Sequence, residues 1–218
     1  MGRPGIPPSQ ARRALDLALA LTALPLLSPL LAAVGIAVRL TSPGPIIYRQ
    51  PRVGQGGEPF NIYKFRSMRD DAPGPEVTGP EDSRVTPLGE FLRRTSLDEL
   101  PQLINVLRGE MTLVGPRPES LALAARYPAE YQFVFQHRPG LTGPVQVRLR
   151  DQDILPRDVE DLEAYYLRRL LPARVAIDRA YLANPTLART IGLLIETAAY
   201  LIRRPKTRPP AQTVEAAP

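Results

Sequence analysis

The residues best equipped for chemistry are two adjacent carboxylates, Asp98 and Glu99, with Arg93, Arg94, Arg108 and Arg117 nearby in sequence. Carboxylates facing several guanidinium groups suit metal-assisted phosphate chemistry, in which both a cation and an anionic substrate must be balanced. The same letters also spell a structural device. Ser96-Leu97-Asp98-Glu99 reads as a capping box, with Ser96 as N-cap, Glu99 reaching back and Asp98 complementing the helix dipole. Leu100, Leu103, Ile104 and Leu107 fall at the spacing of a buried helical stripe, and Arg108-Gly109 supplies a cation and a C-cap. Pro101 disturbs the start of that helix, and Gly115-Pro116-Arg117-Pro118 is a rigid turn. Spacing alone leaves both readings open.

The elements that must position this pair come from a chain of 218 residues, enough for one good-sized core and one catalytic domain. There are no cysteines and a single histidine, His137. Disulfides, thiolate metal sites and multi-histidine centres are therefore excluded. His137 is expected to end a helix rather than to ligate. The net charge of +6 suits an anionic partner. Because that charge is scattered and tryptophan is absent, nucleic acid is not expected.

Residues 1 to 10 read as a disordered lead-in. Ala14 to Leu40 is apolar except for Asp16 and Arg39, long enough to cross a bilayer core of roughly 30 Å. A signal peptide is disfavoured because the apolar run continues past Ala32-Ala33. A simple spanning helix meets two objections. Pro25 and Ser28-Pro29 would break it near mid-membrane, and basic residues flank both ends: Arg12 and Arg13 before, Arg39, Arg49 and Arg52 after. A bent helix that enters and leaves one leaflet answers both.

Beyond Thr41 the spacing predicts a hairpin, with strands at Ile46–Gln50 and Phe60–Arg66 around Gly54, Gly56 and Gly57. Period two puts Lys64 and Arg66 on one face of the second strand. Only two residues, Lys64 and Lys206, are lysine in an otherwise arginine-rich chain, which favours a phosphate contact for Lys64 over a solvated strand cation. Residues 69–83 read as a surface loop, 84–94 as a short amphipathic helix, and 120–137 as helix interrupted at Pro128. Arg138 to Gly143 reads as a tight turn whose glycines bring N–H groups to an anion. Helices follow to Arg204, with Pro172 and Pro185 as breaks. Ile191, Leu194, Ile195, Ala198 and Ile202 share one apolar face, for core packing or a membrane interface. The expected class is α+β: mainly helical, with a small β-hairpin and an N-terminal re-entrant membrane helix. The expected divisions are 1–40 (tail and membrane helix), 41–204 (cytosolic catalytic domain with interfacial helices) and 205–218 (disordered tail).

Four blocks together resemble the bacterial sugar transferases, monotopic phosphoglycosyl transferases that load a sugar phosphate onto polyprenyl phosphate. They are Tyr63-Lys64-Phe65-Arg66-Ser67-Met68; Leu97-Asp98-Glu99-Leu100-Pro101-Gln102 with Asn105-Val106-Leu107-Arg108-Gly109; Val114-Gly115-Pro116-Arg117-Pro118; and Arg138-Pro139-Gly140-Leu141-Thr142-Gly143 with Gln146 and Arg150. The resemblance runs from about Arg12 to Arg203. Departures are Pro144-Val145, Leu149, and Thr190 where the family commonly has aspartate.

The resemblance implies transfer of a sugar 1-phosphate from a UDP-sugar to polyprenyl phosphate with release of UMP, the first step of surface glycan assembly. It implies Asp98 as nucleophile of an aspartyl phosphosugar intermediate and Glu99 as partner in holding Mg²⁺ or in positioning the acceptor phosphate. Lys64, Arg66, Arg93, Arg117, Arg138, Gln146 and Arg150 are the implied substrate and phosphate contacts, and Ser28-Pro29 the membrane-helix break. The implied place is the cytoplasmic face of the bacterial inner membrane, in contact with lipid; whether a homodimer forms stays open. Two rivals stand beside it. A glycosidase needs carboxylates on opposite sides of a bond at roughly 5–9 Å, which sequence neighbours do not provide. A non-enzymatic membrane anchor would use Asp98-Glu99 only as a cap.

Overall fold

A 32-residue helix, α1 (Gln10–Thr41), is the longest element of the computed structural model, in which residues 5–69, 82–149, 159 and 161–202 are described. Ser9 caps it, its Oγ accepting the Arg12 N–H at 3.4 Å. The described residues before it, 5–9, do not form a structureless lead-in. The Ile6 N–H donates to the Gln136 carbonyl at 2.6 Å, and Ile6 bridges to His137. Helical structure runs through Pro25 and Pro29 without interruption. Pro29 cannot donate to the Pro25 carbonyl one turn earlier, and the Ser28 hydroxyl donates to that oxygen instead, at 2.8 Å. A Ser-Pro pair thus keeps the carbonyl satisfied in an apolar setting.

The hairpin forms as expected, its first strand starting one residue later and running longer, its second shifted one residue earlier. β1 (Ile47–Val53) and β2 (Pro59–Phe65) are antiparallel, with Tyr48 opposite Lys64. Gly56 and Gly57, at φ of 73° and 87°, take the turn between them. Thr86 then caps α2 (Pro87–Thr95), its Oγ1 accepting the Gly89 N–H at 2.9 Å.

The capping box is not realised. Ser96 lies in the left-handed region at φ 58°, where it ends α2. Leu97–Gln102 forms a 3₁₀ turn with no side-chain cap, leading into α3 (Leu103–Arg108). A left-handed N-cap cannot hold the extended backbone that a capping box needs. The buried side of α3 is Leu103, Asn105 and Val106; Ile104, placed in the stripe by spacing, is 40% exposed. The tighter 3₁₀ turn re-phases the helix that follows. Gly109 at φ 81° ends α3 as read from the sequence.

Arg138 to Gly143 is not a tight turn. Gly140–Thr142 is a strand, β4, running parallel to β3 (Thr112–Val114). The two backbones approach closely because Gly140 has no side chain: a Cβ there would lie 2.1 Å from the Gly115 amide nitrogen. Between these strands come α4 (Leu121–Ala124) and the 3₁₀ segment Ala129–Gln136, parted at Pro128 and ending at His137 as expected.

After β4, α5 (Pro144–Leu149) is followed by α6 (Leu162–Tyr165), which passes through a π turn at Tyr166–Leu170 into α7 (Leu171–Leu182). Pro172 is in the first turn of α7, where its missing N–H costs nothing, so it does not break the chain there. Pro185 does part α7 from α8 (Leu187–Ile202). The core centres on Ile62, Val106, Met111, Val114, Tyr181 and Leu193, with Ala20 of α1 packed into it. A second cluster joins Val34 and Val38 of α1 to Phe65 and Leu92. Each such side chain contributes about 1.5–3 kcal/mol on burial. On α8 the apolar face read from the sequence is turned outward: Ile191, Ile195 and Ile202 are exposed while Leu193 is buried.

Candidate active site

Asp98 and Glu99 occupy the 3₁₀ turn that packs across β2. Asn105, on the α3 helix that continues this turn, fastens it to β2. Its Oδ1 accepts the Tyr63 N–H at 3.1 Å, and its Nδ2 donates to the Asn61 carbonyl at 2.8 Å. Lys64 is thereby brought to Glu99, with Nζ to Oε1 at 2.7 Å. From the far side of the pocket, after β3, Arg117 Nη2 approaches the same oxygen at 3.4 Å.

The electrostatics separate the two carboxylates. Burial would raise the Glu99 carboxyl, but Lys64 and Arg117 outweigh it and bring the group down to about 2. Asp98 is 5% exposed, and its carboxyl is held above the usual range by burial and by Glu99 beside it. Lys64, Arg93 and Arg117 pull it part of the way back through their charge. Burial also draws Lys64 below its ordinary range against the pull of Glu99, while Glu99 holds Arg117 above its own. The result is one strongly acidic carboxylate clamped by two cations, and one more basic carboxylate with no donor engaged among the described residues.

The pocket over this cluster is lined by Arg52, Lys64, Glu99, Gln102, Arg117 and Leu141. Gln102 is 2% exposed and its Nε2 is buried without a hydrogen-bond partner. An orphaned buried donor beside two cations fits a phosphate or sugar oxygen. Gln102 stands inside the motif read from the sequence, but only its burial singles it out. On the other side of Arg117 a second cavity is lined by Glu119, Tyr127, Tyr166, Arg174 and Asp178. Glu119 Oε2 accepts both tyrosine hydroxyls at 2.9 Å, which ties down the segment that carries Arg117. Burial pushes Asp178 up to about 7, against the pull of Arg174, and its Oδ1 has no partner. Spacing gave no signal for Glu119 or Asp178, since their partners lie far away in sequence.

Of the residues picked out by sequence, Lys64, Arg93, Asp98, Glu99 and Arg117 come together. Arg66 is elsewhere: its Nη1 donates to the Pro45 carbonyl at 2.6 Å and its Nη2 to the Ser42 carbonyl at 2.7 Å, holding the end of α1. Arg138 donates from Nε to Gln55 Oε1 at 3.3 Å, beside Arg13 and Asp16 rather than Asp98. The Gln146 amide is buried near Gly143 with both atoms unpartnered. Thr190 is fully buried and bonded to the Tyr181 hydroxyl at 3.0 Å. Arg150, the loop at 70–81 and the tail from 205 lie outside the described residues. Among the described residues no group of three or more acidic or histidine side chains gathers as a metal centre.

The bacterial sugar transferase profile matches residues 8–204. The chain belongs to this family. A UDP-glucose:undecaprenyl-phosphate glucose-1-phosphate transferase of Caulobacter vibrioides is 42% identical over 197 residues, covering 88% of this chain and 69% of the relative. The UDP-N-acetylgalactosamine-undecaprenyl-phosphate N-acetylgalactosaminephosphotransferase of Aeromonas hydrophila is 43% identical over 62% of this chain, but only 33% of its own length is matched. The exopolysaccharide production protein PSS of Rhizobium leguminosarum bv. phaseoli is 36% identical, with 89% of this chain and 96% of the relative aligned. In bacterial sugar transferases of this kind, one catalytic unit is thus matched both in long proteins and in one of nearly this length.

Proposed function

We propose that this protein transfers a sugar 1-phosphate from a UDP-sugar to polyprenyl (undecaprenyl) phosphate and releases UMP, as the names of its relatives describe for them. The observation that carries the reading is the unequal carboxylate pair: Asp98 the more basic and, among the described residues, without a hydrogen-bond donor, Glu99 ionised between Lys64 and Arg117. An Asp98 oxygen attacks the phosphorus that bears the sugar. The bond from that phosphorus to the bridging oxygen breaks, and the electron pair leaves on UMP. A phosphate oxygen of the lipid then attacks the same phosphorus, and the Asp98 carboxylate is restored. Lys64, Arg93, Arg117 and the Gln102 amide face the equatorial oxygens, where charge neutralisation is the main requirement. Asp98 and Glu99 also fit Mg²⁺, since this ion takes one or two carboxylates and fills its remaining positions with phosphate and water. Bound there, it supplies Lewis-acid offset of the diphosphate charge.

The lipid acceptor accounts for α1, the one described helix long and apolar enough to cross a membrane. At about 1.5 Å per residue it is longer than a bilayer core is thick. Yet Arg12, Asp16 and Ala20 near its start and Val34 and Val38 near its end are buried against the catalytic body. Both ends on one body support a helix that is seated in a single leaflet rather than one that crosses. Leu21, Leu26, Leu30 and Ile36 between and beside those anchors are exposed, as are Ile195 and Ile202 of α8. Basic residues at both ends favour the cytoplasmic face. Purified protein in lipid should release UMP from a matching UDP-sugar over many turnovers only when polyprenyl phosphate is present, and no more than about one UMP per enzyme without it. A panel of UDP-sugars that yields no acceptor-dependent UMP would overturn the reading.

A further inference from the structure

β3 is held from two sides. On one side lies β4, with the Thr112 N–H donating to the Pro139 carbonyl and the Gly115 N–H to the Thr142 carbonyl, both at 2.9 Å. On the other side lies no strand but the charged start of α1. Asp16 Oδ2 accepts the Thr112 hydroxyl at 2.6 Å, and Oδ1 accepts the Leu113 N–H at 3.0 Å. Arg12 Nη2 donates to the Val114 carbonyl at 2.7 Å. Every residue of β3 is therefore gripped by a side chain of the membrane helix. Asp16 is 0% exposed and Arg12 5%, so the grip is sealed from water. The plain reading is a buried polar group that has found its partners. What lies next in the chain argues for more. Gly115 and Pro116 lead directly from Val114 to Arg117, and the Pro116 carbonyl is in turn held by the Gly140 N–H at 2.8 Å. The reach of Arg117 to Glu99 depends on where this short strand sits.

Resting on the transferase reading above, we propose that Asp16 is a positioning residue for the transfer: by fixing β3 against α1 it sets the Arg117 guanidinium over Glu99. Seating of the membrane helix and assembly of the anion site are then one structural event. A carboxylate accepts two donors in a fixed plane, which an alanine cannot do. Misplacing a charge-bearing side chain by about 1 Å costs on the order of 100-fold in rate.

The test uses the full chain in lipid and two readouts. In Asp16→Ala, amide hydrogen exchange of the peptide that contains Gly115 to Arg117 should speed up by at least about tenfold, which requires no turnover to observe. Turnover should fall by about 10- to 100-fold. Combined with Arg117→Ala, however, it should be no slower than Arg117→Ala alone, because the two act through one group. Asp16→Asn keeps an acceptor for Leu113 and should restore most of the rate. Thr112→Val removes only one of the two bonds, folds under milder strain and should show the same non-additivity on a smaller scale. Unchanged exchange at Gly115–Arg117, or losses that multiply with Arg117→Ala, would overturn the proposal. Faster exchange in Asp16→Ala with a wild type that makes no UMP would instead overturn the transferase reading and leave the positioning role standing.

Discussion

Asp98 and Glu99 are neighbours with opposite electrostatic fates, and the difference comes from which one faces the cations. The left-handed Ser96, the one non-glycine with positive φ among the described residues, costs about 1–2 kcal/mol and turns the chain so that this asymmetry arises. Asp98→Asn keeps the size of the side chain and removes its anion. The variant should melt within a few degrees of wild type and lose nearly all turnover. Wild type given UDP-sugar without acceptor should gain the mass of a sugar phosphate on the peptide containing Asp98, and Asp98→Asn should not. Asp178 makes a prediction about pH. Its carboxyl is raised from an ordinary 3.8 to about 7, so the fold prefers it neutral. The stability it contributes is complete below about pH 4 and is lost as pH rises through about 7, in all about 4 kcal/mol. Asp178→Asn cannot ionise. Its stability relative to wild type, from thermal unfolding, should therefore rise steadily from pH 4 to pH 8, and a gap that stays flat would contradict the assignment. Glu99 carries the opposite sign: its stabilisation is present above its ordinary 4.5 and is lost as pH falls toward about 2.

Among the elements, the shortest matter most for the site. β3 and β4 have three residues each, yet they bring the Arg117 segment to the carboxylates. Their close approach rests on Gly140, where a Cβ would lie 2.1 Å from the Gly115 nitrogen and 2.4 Å from the Thr142 carbonyl oxygen. Both neighbours are backbone and cannot move aside as a side-chain tip would. Gly140→Ala should destabilise the protein by about 1–3 kcal/mol or more and should reduce turnover beyond what the unfolded fraction explains. Equal stability and activity in this variant would mean that the strand pair separates without consequence for Arg117. The 3₁₀ turn at Leu97–Gln102 is the other decisive element, since it carries Asp98 and Glu99 at its start and Gln102 into the pocket at its end.

At the level of the molecule, α1 is both anchor and scaffold. Its middle is exposed and apolar, and its two ends are built into separate parts of the core. This arrangement predicts that the first residue of the helix and positions just beyond its end face the same aqueous side. The absence of native cysteine makes the measurement clean. Gln10→Cys and Pro43→Cys, both at exposed positions, should each be labelled from the cytoplasmic side of inverted vesicles and protected in intact cells. Labelling from opposite sides would mean a helix that crosses.

The sequence by itself determined a good deal. Its motifs identified the family, picked out Asp98, Glu99, Lys64 and Arg117, which the fold brings together, and predicted the hairpin, the long apolar N-terminal helix and the helix stop at Gly109. These follow from local rules: periodicity, turn chemistry, and residue types dictated by the reaction. Four things were decided only by tertiary structure. The capping box gave way to a 3₁₀ turn because Glu99 finds two cations, Lys64 and Arg117, that are distant in sequence. Arg66 and Arg138 leave the Asp98 cluster because backbone carbonyls and Gln55 claim their guanidinium groups. The segment at Arg138–Gly143 becomes a strand because β3 offers it a parallel partner. Asp16, which by sequence only interrupts an apolar run, proves to be buried because β3 supplies two donors that offset its burial, the Thr112 hydroxyl and the Leu113 N–H. In each case the deciding partner lies tens of residues away, and the energy of burying a charged or hydrogen-bonding group depends on that partner rather than on the neighbouring letters.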